Sequence, residues 1–210
     1  MTRTGIVLGL MMTSCLALPA QAQQAAFAVS GIGQSLANPP FTLGYAFSLS
    51  EAFTASGLGL FDQAGDGLAS SHEIGLWDSG GTLLASTTVF GTSGTLIDGF
   101  RYGAISPLLL GVGSYTIGAT FLDDADPLLF QATVTPLAGV SYDSAAFAAG
   151  GALSNPTFLL ETSGFFGPNL LLSAAVPEPA TWLVMLLGFG AVGGAMRSAR
   201  RRQRVTVSYA

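Results

Sequence analysis

The sequence has no lysine, a single histidine (His72) and a single cysteine (Cys15) in 210 residues, and only 9% of its residues are charged. A lone cysteine excludes an internal disulfide, and its place near the N-terminus leaves the rest of the chain without thiol chemistry. One histidine leaves little for acid–base work. No G-x-S-x-G nucleophile elbow accompanies the adjacent Ser70, Ser71 and His72. Between Gln23 and Val176 the only basic residue is Arg101, against 11 of the 12 acidic residues, so that body carries a net charge of 1 − 11 = −10. A body of this sign repels phosphate backbones, which excludes nucleic acid as a partner.

What the chain does have is apolar content (50%) and 28 glycines. That composition can build a core and belongs to a turn-rich all-β protein. Residues 23–175 show no amphipathic helix. Phe41, Leu43, Tyr45, Phe47 and Leu49 alternate with small or polar residues, the period of a half-buried strand. Further strands are expected at 54–61, 73–77, 82–89, 99–102, 107–110, 114–121, 128–134, 157–161 and 169–174. Turn signals such as Ala64-Gly65-Asp66-Gly67, Ser79-Gly80-Gly81 and Gly111-Val112-Gly113 separate them. Many short strands with regular turns predict an all-β body, a β-sandwich of jelly-roll type. Leu58-Gly59-Leu60-Phe61-Asp62 recurs as Ile74-Gly75-Leu76-Trp77-Asp78, which reads as two strands that each close on an Asp-initiated turn.

Both ends read as targeting segments. In residues 1–22, Arg3 precedes a 13-residue apolar run, Ile6 to Leu18, too short to span a bilayer. Pro19 and then Ala20-Gln21-Ala22 supply a signal-peptidase site, with cleavage expected after Ala22. A lipoprotein reading at Cys15 is disfavoured because the apolar run continues past it. At the other end, Pro177-Glu178-Pro179 leads to Trp182 and to 17 uncharged residues, 180–196. The cluster Arg197, Arg200, Arg201, Arg202 and Arg204 follows, with a short tail at 205–210. The expectation is a transmembrane helix over 180–196, with the body outside and the arginines inside. The prolines hold an extended, protease-accessible strip before it. Gly188-Phe189-Gly190-Ala191-Val192-Gly193 matches a dinucleotide fingerprint, but no strand precedes it and no soluble helix follows. Gly190 and Gly194 form a G-x-x-x-G, the spacing at which a second helix can approach.

Pro177-Glu178-Pro179, Trp182, Gly188, Gly190 and the arginine cluster over 176–204 resemble the PEP-CTERM sorting signal in its PEPxxWA variant, with Leu183 in place of the usual alanine. The resemblance implies recognition and cleavage at Pro-Glu-Pro by an exosortase, a membrane transpeptidase, and delivery to the envelope, exopolysaccharide or extracellular matrix. More loosely, Phe53–Phe121 resembles a jelly-roll-like domain of unknown function found in bacterial secreted proteins. The pieces that carry this are Gly57–Asp62, Gly75–Asp78, Gly81–Ser86 and Gly113–Gly118. That likeness brings no catalytic residues.

The remaining chemistry is sparse. His72 is expected to be an exposed turn residue. Glu51, Glu73 and Glu161 are available for glycoside hydrolysis, but nothing in the sequence pairs them. Asp62, Asp66 and Asp78 flank one Gly-rich loop, and Asp123, Asp124 and Asp126 crowd another. Oxygen clusters on loops suit calcium, the one metal the sequence suggests, although neither loop has EF-hand spacing. Trp77, Tyr102 and Tyr142 are the aromatics that would stack on sugar if exposed. The first expectation is therefore a non-catalytic, exported envelope or matrix protein. The alternatives are a secreted polysaccharide-acting hydrolase and a carbohydrate- or ice-binding module; for ice, Thr87, Thr88, Thr92 and Thr95 are spaced too irregularly.

Overall fold

A computed structural model describes residues 22–31, 34–36, 40–122, 126, 128–161, 164–175 and 181–202, with the backbone alone at 34–36, 181–183 and 199–202. The leader (1–21, with Cys15 and Ala20), Asp123, Asp124, Pro177-Glu178-Pro179 and the tail 205–210 lie outside the described residues. The chain divides into two compact units, Met1–Ser173 and Ala174–Ala210.

The strands in chain order begin with β1 (Gln24–Ala25), β2 (Phe27–Gly31), β3 (Gln34–Leu36), β4 (Phe41–Leu49) and β5 (Phe53–Phe61). Next come β6 (Leu68–Asp78), β7 (Leu83–Gly91), β8 (Thr95–Ile97), β9 (Phe100–Leu110) and β10 (Gly113–Phe121). β11 (Leu128–Phe130), β12 (Thr133–Pro136), β13 (Val140–Ala149), β14 (Phe158–Leu160) and β15 (Pro168–Ala174) complete them. One sheet has the order β1-β15-β5-β9-β8 and the other β14-β13-β4-β10-β6-β7; β11-β3 and β12-β2 form two-stranded ribbons.

The alternation in β4 places Leu43, Tyr45, Phe47 and Leu49 in the core. Leu58 and Leu60 of β5 and Leu170 and Leu172 of β15 join them from the five-stranded sheet. Ile74, Leu76, Ile117 and Phe121 come from the six-stranded one, and all belong to a single apolar cluster. Each such side chain contributes on the order of 1.5–3 kcal/mol when fully buried. One core shared by two sheets is a sandwich, in agreement with the all-β, jelly-roll-like expectation. Two glycines let the aromatics seat. A Cβ on Gly59 would lie 2.5 Å from Tyr102 Cδ1, and one on Gly75 would lie 2.5 Å from Trp77 Cη2.

Several expected strands change. The stretches 99–102 and 107–110 are one strand, β9. Pro107 lies where the β5–β9 register shifts, and β8 pairs only with Phe100–Tyr102, so the missing N–H breaks no ladder on that side. The stretch 128–134 is two strands, separated at Gln131, whose φ is 56°. β13, which pairs with β4 over nearly its whole length, is a strand the periodicity did not indicate.

In the second unit, α1 (Thr181–Arg202) forms where a helix is expected, but it takes in the arginines rather than stopping before them. The expected transmembrane span is corrected here: among the described residues no helix is long and apolar enough to cross a membrane. The uncharged part of α1, Thr181 to Met196, is 16 residues. At ~1.5 Å per residue it rises about 24 Å, against a hydrocarbon core of ~30 Å. Gly188, Gly190, Gly193 and Gly194 dilute its apolar content.

Candidate functional site

At the start of β6, the side chains of Ser70 and Asp126 and the backbone carbonyl of Thr120 converge on one imidazole. His72 is 1% exposed on β6 rather than exposed in a turn, which corrects the sequence expectation. Its Nδ1 is 2.7 Å from the Thr120 carbonyl oxygen of β10. Its Nε2 is 2.9 Å from Asp126 Oδ2 and 3.1 Å from Ser70 Oγ. Asp126 accepts further bonds from the Ala69 N–H (2.8 Å), the Ser70 N–H (2.8 Å) and the Ser70 hydroxyl (3.0 Å). Burial works against ionisation of Asp126. The bonds from His72, Ala69 and Ser70 outweigh it and hold the carboxyl below its ordinary range.

The residues are those of a hydrolytic triad, but the wiring is not. A carbonyl only accepts, so Nδ1 donates to Thr120, and a single proton lies in the contact between Nε2 and Asp126 Oδ2. In a triad the serine and the carboxylate sit on opposite nitrogens; here both sit on Nε2. The cluster is therefore a buried hydrogen-bonded clamp that fastens Asp126 to the head of β6.

The clamp borders a cleft of about 440 Å³, lined by Phe61, Asp62, Gln63, Ala64, Asp66, Gly67, Ala69 and Asp126. Asp62 and Asp66, expected as calcium ligands, thus share a cleft with Asp126. Asp62 is nonetheless engaged: Arg101 Nη2 donates to its Oδ2 at 2.6 Å and Arg101 Nε at 2.9 Å, and the Gly67 N–H donates at 3.1 Å. Asp66 is exposed. Asp78 closes the far end of β6, on the order of 30 Å away at ~3.3 Å per residue. There it accepts from the N–H groups of Gly80 and Thr82. Among the described residues no group of three His, Cys, Asp or Glu is placed to hold a metal ion.

The expected sugar-stacking aromatics are not surface platforms. Trp77 and Tyr102 are buried, and Tyr142 packs against the core beside Tyr45 and Phe166. The exposed rings of the body are Phe90 and Phe158. Glu51 lies in the β4–β5 turn, Glu73 on β6 and Glu161 just past β14, all exposed and none lining the cleft. The threonines considered for ice binding fall on β7, the turn after it and β8. Sequence reasoning missed the partners of His72 and the burial of Arg101. The Asp62–Arg101 pair had one signal available to it, the presence of a single cation in an acidic body.

In the tail, Arg197 is exposed, as are Val184, Met185, Leu186, Leu187, Phe189, Val192 and Met196. A Cβ on Gly190 or Gly194 would meet nothing within 4 Å. Residues 175–202 match the family model of the PEP-CTERM protein-sorting motif. That motif implies a secreted, envelope-associated protein processed by an exosortase. No curated protein and no solved structure matches the chain.

Proposed function

We propose that this chain is an exported, non-catalytic protein of the cell envelope or extracellular matrix, associated with exopolysaccharide, whose tail is cut by an exosortase at Pro177-Glu178-Pro179. The observation that carries the reading is the sorting motif at 175–202. The physical character of α1 supports it. Its short, glycine-diluted apolar stretch and basic end make a weak permanent anchor, which suits a segment read once and removed. Signal peptidase would act before it, after Ala22.

The body supports the non-catalytic part. Its best-developed polar cluster locks Ser70 and Asp126 rather than activating them, and its one cation is consumed by Asp62. With Arg101 internal, the surface of the body carries acidic groups without a basic counterpart, so an associated glycan would be neutral or bridged by cations.

The test follows the body in a host that has an exosortase. Glu178→Ala, or replacement of Arg200, Arg201 and Arg202 by Ser, should leave the chain unprocessed and cell-associated, whereas the parent appears in the matrix fraction. Equal processing of all three would overturn the sorting role. A parent that is processed but never fractionates with exopolysaccharide would overturn the matrix association alone.

A further inference from the structure

The two principal sheets have four edges. Three are cut short: β1 is two residues long, and β8 and β14 are three each. The fourth, β7, runs nine residues as Leu-Leu-Ala-Ser-Thr-Thr-Val-Phe-Gly, with no charge and no proline. Among the described residues no strand pairs with its outer side. Long edges are normally blunted by lysine, proline or brevity, because their unpaired N–H and C=O groups template further pairing. β7 has none of these guards, while the other three edges do.

The backbone shows which groups point outward. The Phe90 N–H donates to Ser93 Oγ and the Ser93 N–H to the Phe90 carbonyl, both at 2.9 Å, so Phe90 directs its polar groups away from β6. Alternation gives Ser86 and Thr88 the same outward direction. Both are exposed, and Phe90 beyond them is 59% exposed.

We propose that β7 is a homotypic docking edge: a second copy of this chain pairs antiparallel to it about a two-fold axis at Thr87. That register sets Ser86 opposite the partner's Thr88 on both sides of the axis, each a doubly hydrogen-bonded pair. Thr87 faces its own symmetry mate. Ala85 lies opposite Val89, and the exposed Phe90 opposite Leu84. Small residues meet small, apolar residues meet apolar, and the strand is self-complementary, as a two-fold contact requires. The charge pattern admits a copy of this acidic body here, because β7 itself carries no charge. The nearest carboxylate, Glu73, pairs with Thr88 from the neighbouring strand. Two such carboxylates would be separated by three strand spacings, about 14 Å, beyond the ~8 Å screening length at physiological salt.

The test uses the full chain with Cys15→Ser, so that introduced thiols are alone. Sedimentation at tens of micromolar should give a dimer, and Thr88→Lys, at an exposed site, should raise its dissociation constant at least tenfold. Under diamide, Thr87→Cys should cross-link to its mate. Phe90→Cys should not, because its mate lies about 20 Å along the strand. A monomeric parent, a dimer unmoved by Thr88→Lys (association through α1 or another surface), or equal cross-linking of the two cysteine variants would each overturn the proposal. A monomer that recruits only a heterologous extended peptide would do the same.

Discussion

Asp126→Asn is the sharpest probe of the clamp at the head of β6. One carboxylate oxygen, Oδ1, takes the Ala69 N–H, and the other, Oδ2, takes the Ser70 N–H, the Ser70 hydroxyl and His72 Nε2. An asparagine can reproduce the first, but its amide nitrogen would meet donors at the second. The ring of His72, 1% exposed, would lose its carboxylate partner. Removing one partner of a buried pair costs about 3–5 kcal/mol, and the 6% exposure of Asp126 argues for the lower end, about 3. For a body of this size that is a fall in melting temperature of roughly 6–12 °C. Denaturant unfolding at pH 7 of the parent, Asp126→Asn, His72→Gln and the double variant reads the coupling directly, expected at about 1–3 kcal/mol. The sign with pH follows from the lowered carboxyl. Its contribution is complete above the ordinary carboxylate value of 3.8 and is lost as pH falls through the lower value in the folded state. A loss under about 0.5 kcal/mol, or additive single variants, would refute the clamp.

Arg101→Met should destabilise by about 3–5 kcal/mol, because Asp62, 3% exposed, would be left buried without its partner; calorimetric melting checks it, and the double change with Asp62→Leu should recover most of the loss. Three tyrosines should titrate late in ultraviolet spectra. Burial raises Tyr45 and Tyr102 well above the ordinary phenol, and burial with the nearby Asp143 pushes Tyr142 up to about 12. A raised value means their contribution is complete below pH 10 and lost above it, so alkaline unfolding should accompany the titration; three tyrosines that titrate normally in the folded chain would contradict this packing.

The sequence was most legible where side chains differ in kind along a strand. β4 shows its alternation openly, and the strand found, Phe41–Leu49, is the one expected. β13 was not legible because Ala145, Ala146, Ala148 and Ala149 carry too little contrast, and its burial comes from pairing with β4. His72 was misread because two serines before it resemble a turn, whereas its burial is decided by Thr120 and Asp126, 48 and 54 residues away. Whether Trp77 was exposed was not legible; it is buried because Gly75, lacking a Cβ, makes room for its ring. The sorting motif was legible because its residues are contiguous. The helix after it was legible as a helix, but not in its reach, since the arginines continue it instead of ending it.

The most direct measurement is an intact mass of the mature chain from an exosortase-containing host. The expected product is a polypeptide that begins at Gln23 and ends within or just before Pro177-Glu178-Pro179, without Trp182 and the arginine cluster. A mature product that retains α1 through Arg202 would contradict it.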